Sequence, residues 1–177
     1  MIKPVVTKAR DFAIWKTVIL GLKKSPSDYF KAIRENGYHI NDRTAWILHE
    51  VQISNSKIEL GLVLVTSGDP GFVDCECADD IYSRAISLGL QRCPTEVGPA
   101  LRLAHRNQER RESLRVAMRP ISGSDGSSYV FTVDHFYDVD RGDSGEQALH
   151  SQVESGPGIL IPGRKFVFAS SSVRKLD

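Results

Sequence analysis

The chain has 177 residues, 41% hydrophobic and 25% charged, with 23 Lys and Arg against 22 Asp and Glu. Near-neutral charge argues against a strongly basic nucleic-acid binder, and the composition is that of a folded chain rather than a disordered one. Three cysteines make no disulfide framework, which points to a reducing, cytoplasmic setting.

A chain of this length can bury a core without metals or disulfides. The reading is one domain over 12–169, with flexible tails at 1–11 and 170–177. Lys3, Lys8 and Arg10 precede an apolar run, but Lys16 interrupts it and no cleavage site follows, so a signal peptide is rejected. No apolar run reaches the ~18 residues a membrane span needs.

Residues 15–20 read as a strand rich in β-branched and aromatic side chains, closed by Gly21. Ser25, Pro26 and Asp28 give the clearest helix start, and Asn36-Gly37 the stop. Asn41 or Asp42 can cap a second, shorter helix. Residues 57–65 are apolar on both faces, which predicts a central strand. Asp79 and Asp80 open a helix over 78–88 that Gly89 ends.

The segment Cys93-Pro94-Thr95-Glu96-Val97-Gly98-Pro99 is a stiff connection between the two halves. Beyond it Leu101 and Leu103, then Leu114, Val116 and Met118, alternate with polar or small residues. A hairpin with a polar loop over 106–112 is preferred here to a helix over 100–112. A strand follows over 129–137, then a glycine- and acid-rich loop over 138–163 with a short helix near 146–150, then a last strand over 164–169. The expected fold is α+β: a helix-rich N-terminal half followed by an antiparallel β-meander, a single sheet packed against helices.

No phosphate loop, dinucleotide fingerprint, nucleophile elbow or His-Glu-x-x-His motif is present, so no cofactor is implied. Asp138 to Asp143 approaches a calcium loop, but its glycine falls one place early and Leu149 stands where the bidentate glutamate belongs. It reads as a solvated acidic loop. Cys75 and Cys77 have one residue between them, a poor chelate for zinc with Cys93. No metal site is expected.

Two constellations remain. Arg102, Arg106, Arg110, Arg111, Arg115 and Arg119 face only Glu109 and Glu112 in their span. On a hairpin they form a cationic ridge, with Arg106, Arg110, Arg111 and Arg115 as binding residues for a protein partner or an anionic ligand. Nucleic acid is not favoured, because the ridge lacks interleaved aromatics. Glu96, Arg102 and His135, with His105 and Asp134 nearby, could serve as acid, anion holder and base.

Residues Trp15-Lys16-Thr17 with Leu20-Gly21, the segment from Cys93 to Leu103, Leu114 to Ile121 and Phe166-Val167-Phe168 carry a resemblance. On them the chain is similar to an uncharacterised family of small bacterial proteins over roughly 14–169. The family has no established activity, so the resemblance implies the fold outline and nothing about chemistry. The leading expectation is a non-catalytic binding or regulatory module using the arginine ridge. The alternative is a small hydrolase or transferase acting on a phosphate-containing substrate. The exposed edge of the meander could also support a homodimer.

Overall fold

The computed structural model describes residues 12–136, 145–154 and 163–176. Among the described residues the order is β1 (Lys16–Leu20), α1 (Pro26–Glu35), α2 (Asp42–His49), β2 (Ile58–Thr66), α3 (Ala78–Ser87), α4 (Val97–Ala104), β3 (Ser113–Val116), β4 (Ile121–Ser122), β5 (Ser128–Phe136), β6 (Glu146–Val153) and β7 (Lys165–Lys175). Local chemistry explains most helix starts. Ser25 Oγ accepts from Asp28 N at 3.2 Å, and Pro26 occupies the first turn, where its missing N–H costs nothing. Asn41 Oδ1 accepts from Thr44 N at 2.9 Å. The Asp80 side chain reaches back to the Cys77 and Glu76 amides at 3.1 and 2.9 Å, tying off α3.

The strands form one mixed sheet, curled into a half-barrel, in the order β1-β2-β7-β3-β5, with β4 and β6 both paired to β5. Val63 and Val65 of β2 lie opposite Phe168 and Phe166 of β7, and these four pack with Ile81, Tyr82 and Ala85 of α3. Leu60, Leu62, Val167 and Ala169 belong to a second core with α1, α2 and α4. Helices thus cover both faces of the sheet. Strand β2 is buried on both sides, between β1 and β7.

This corrects the expected helix-rich half followed by a meander. Strands β1 and β2 from the first half belong to the same sheet as the later strands, and β3 pairs with β7 in parallel. The expected first hairpin strand is helix α4, in which Val97, Ala100 and Leu101 share a buried face at i, i+3, i+4 spacing. Eight residues satisfy either period, so only packing decides between them. Pro99 falls in the first turn, where it is tolerated. Gly98 lets the helix approach the sheet: a Cβ there lies 2.5 Å from the Phe131 ring.

Two further corrections follow. Residues 146–150, expected as helix, lie in β6, paired along its length with β5. Strand β7 continues to Lys175, with Val173 and Lys175 opposite Leu60 and Ile58, so 170–175 are not a tail. Backbone pairing supplies partners that a short polar sequence does not announce. The edge proposed for a homodimer is partly occupied within the chain, because His39 N donates to Gln147 O and Leu149 N to His39 O, both near 3 Å. The expected tail at 1–11 and the acidic loop over 138–143 lie outside the described residues. No helix among the described residues is long and apolar enough to cross a membrane.

Candidate functional site

Of the three residues proposed for catalysis, Arg102 and His135 share a neighbour in Gln108, while Glu96 bonds to a different set of partners. Glu96 is fully buried at the start of α4. Its Oε1 accepts from Gly21 N and from the Tyr29 hydroxyl, each at 2.8 Å, and its Oε2 from Ser54 N at 2.8 Å. One carboxylate therefore ties the end of β1, helix α1 and the 50–56 loop to α4. Burial, followed by the contact with Glu96, pushes the Tyr29 phenol far above its ordinary range. Gly21 makes this staple possible with φ +71°, and a Cβ there meets Ser56 O at 2.3 Å.

Arg102 lies two helical turns away and is also fully buried. Its guanidinium donates to Gln108 Oε1 and Gln147 Oε1 at 2.6 Å each, to Asp134 O at 3.3 Å and to His105 O. It stacks on Tyr38 at 4.5 Å. Burial lowers its pKa below the usual arginine value. His135 Nδ1 sits 2.7 Å from Gln108 O, so Gln108 links the two side chains. Arg102 and His135 share a neighbourhood, while Glu96 has no partner in common with either. Glu96 and the two terminal nitrogens of Arg102 bond to internal partners, as groups that hold a fold do, while Arg102 Nε is buried with no hydrogen-bond partner among the described residues.

Beside them runs a chain of charges. His105 Nε2 lies 3.1 Å from Glu112 Oε2, and Lys165 Nζ donates to Glu112 Oε1 at 2.5 Å. Burial holds His105 below its ordinary 6.5, with Lys16 and Arg102 acting the same way and Glu112 opposing them. For Glu112 burial acts upward, but the bonds from Lys165 and His105 outweigh it and hold the carboxyl below 4.5.

Both shifts carry the same sign in stability. A histidine harder to protonate in the fold than in the unfolded chain stabilises the fold above 6.5, and this is lost as pH falls below that value. The Glu112 contribution is present above 4.5 and is lost as pH falls through the lower folded value. The melting temperature is therefore expected to decline in two stages on acidification. His105→Gln should flatten the upper stage and Glu112→Gln the lower, in melting curves recorded from pH 8 to pH 4.

The expected arginine ridge does not form as one surface. Arg102 and Arg115 are buried, Arg106 is exposed, and Arg119 lines a separate hollow with Arg92. Arg110, Arg111 and Arg115 instead join Arg164 and Lys165 around a cleft of about 310 Å³, with Glu109, Glu112, Ser113 and Gln152. The parallel pairing of β3 with β7 builds it. Leu114 lies opposite Lys165, so the turns entering both strands meet at one end of the sheet. Arg111 takes φ +65°, a left-handed conformation that non-glycine residues rarely adopt. Its amide donates to His135 O at 2.8 Å. Arg115 donates to the Tyr82 hydroxyl at 3.0 Å and pairs with Glu154. Burial opposes its charge, but Tyr82 and Glu154 more than offset that.

On the α3 face of the sheet, behind the cleft, lies a buried polar cluster. Asp134 is 2% exposed. It accepts from Ser113 Oγ at 2.5 Å and Thr132 Oγ1 at 2.6 Å, and lies 3.2 Å from His150 Nδ1. Sequence reading missed Ser113, His150, Arg164 and Lys165. The one available sign was the polar pair Thr132 and Asp134 within an otherwise apolar strand. Cys93 is buried with its thiol 3.4 Å from Val167 O, and burial pushes its pKa up strongly. Cys75 and Cys77 are half-buried, and no cluster of metal-ligating side chains occurs among the described residues.

Fold and cleft together define a mixed α/β domain with a cationic cleft at one end of its sheet. No family model, curated protein or solved structure matches the chain.

Proposed function

We propose that the protein is a binding module whose ligand is a compact, multiply charged anion held in the cleft between the 109–113 turn and the start of β7. One observation carries this reading: five cationic side chains from two distant segments converge on one cleft against Glu109, Glu112 and Glu154, the partner of Arg115. The volume, about 310 Å³, is near the lower end for small-molecule sites. Planar guanidinium groups suit phosphate and carboxylate oxygens. The strained backbone at Arg111 adds support, because such conformations concentrate at ligand-binding positions.

Titration calorimetry with inorganic pyrophosphate tests the reading. Binding is expected in the wild type and should weaken as salt rises from about 0.05 to 0.5 M, where screening lengths shorten to a few ångströms. The Arg110→Glu, Arg111→Glu double variant should bind at least about tenfold more weakly, a loss of ~1.4 kcal/mol or more. Arg111→Gly is the sharper variant. Glycine accepts φ +65° without penalty, so binding should weaken while the melting temperature does not fall. Unchanged affinity in both variants would remove the cleft from consideration.

A further inference from the structure

We infer that Ser113 is the nucleophile of a phosphoryl-transfer step in this cleft, with Asp134 as its base and an acyl phosphate or phosphoanhydride as the substrate class. The inference rests on the anion-binding reading and adds chemistry to it. Ser113 is the first residue of β3, is exposed and lines the cleft. Its hydroxyl donates at 2.5 Å to Asp134 Oδ1. A serine hydroxyl is a weak nucleophile until a neighbouring base takes its proton. Here the base is buried, and its second oxygen is held from behind by Thr132 Oγ1 at 2.6 Å and His150 Nδ1 at 3.2 Å. Those contacts leave Oδ1 directed at Ser113.

The sheet fixes this geometry. Ser113 and Asp134 are cross-strand partners of β3 and β5, and Thr132 pairs with His150 across β5 and β6. A site built on strands holds its atoms more tightly than one built on loops. Of the three side-chain contacts of Asp134 among the described residues, the one to Ser113 joins it to the cationic cleft.

In the step, Ser113 Oγ attacks phosphorus and the Oγ–P bond forms. The bridging P–O bond breaks, and its electron pair leaves on the departing carboxylate or phosphate oxygen. The Ser113 proton passes to Asp134 Oδ1. Arg111, Arg115 and Lys165 line the same cleft and stabilise charge on the transferred group and the leaving oxygen.

Incubation with acetyl phosphate, followed by intact-mass and peptide mapping, tests this. The wild type is expected to gain one phosphoryl group on Ser113. Ser113→Ala should gain none, and its melting curve checks that the fold survives the loss of the Ser113–Asp134 hydrogen bond. Asp134→Asn should label at least about a hundredfold more slowly, the scale of a lost general base. Should that variant fold poorly, Ser113→Ala decides alone. Intact pyrophosphate binding without labelling of the wild type overturns the inference and leaves the binding reading standing. Equal labelling of Ser113→Ala also overturns it. Loss of pyrophosphate binding in the wild type overturns both.

Discussion

Glu96→Ala is expected to lower stability by about 4 kcal/mol, because one buried and two half-buried donors lose their acceptor together. Gly21 N, Ser54 N and the Tyr29 hydroxyl all donate to one fully buried carboxylate. For a chain of this size that corresponds to a fall of roughly 10 °C in melting temperature. Tyr29→Phe removes one donor and leaves the carboxylate with two, so it should cost only ~1 kcal/mol. Glu96→Gln should fall between them, because its amide turns an N–H toward a backbone donor. Thermal and urea unfolding of the three variants, run as a cycle with the Tyr29→Phe, Glu96→Ala double variant, measures the coupling. A loss under about 1 kcal/mol for Glu96→Ala would show that the staple does not hold the two helices to the sheet.

The second large effect is at Arg102. Arg102→Met keeps much of the apolar volume but strands four acceptors: two glutamine side chains and the carbonyls of His105 and Asp134. The expected loss is about 3–5 kcal/mol, the range for removing one member of a buried polar network. Arg102→Lys should recover only part of it, because an ammonium cannot span four acceptors arranged around a planar fork. The damage should be local as well as global. Hydrogen exchange is expected to quicken first over 105–112 and in β6, the segments the guanidinium joins to α4. Uniform loss of protection would instead mean that Arg102 stabilises only the core as a whole. The Glu96 variants should not alter pyrophosphate affinity at temperatures where the protein stays folded, since neither that side chain nor its partners line the cleft. Arg102→Met should weaken binding, because the segment it loosens carries Arg110 and Arg111.

Elements whose cause lies within a few residues were legible from the chain. Ser25-Pro26, Asn41 and Asp80 each satisfy orphan amides at their own helix starts, so capping chemistry alone locates α1, α2 and α3. The two-sided apolar run of β2 likewise announces a strand with neighbours on both faces. Helix α4 was not legible, because its eight residues fit a strand period and a helix period alike and Gly98 declares its purpose only against Phe131. Strand β6 was not legible either. Its residues Glu146 to Ser151 are mostly polar, and their strand state comes from the long ladder with β5.

The candidate site divides the same way. Sequence alone marks Arg110, Arg111 and Arg115 as a dense local charge, since three cations lie within six positions. It cannot bring them to Arg164 and Lys165, which follow about fifty residues later. That meeting depends on β7 passing beside β3 in parallel, and strand order is a long-range outcome settled by which apolar faces bury best. The same holds in reverse for Glu96 and Arg102. Their charge suggests chemistry when read along the chain, but both are buried and bonded mainly to partners within the fold, as groups that hold a frame are. Charge density is written locally, whereas the partners that give each charge its role are chosen by the packing of distant strands.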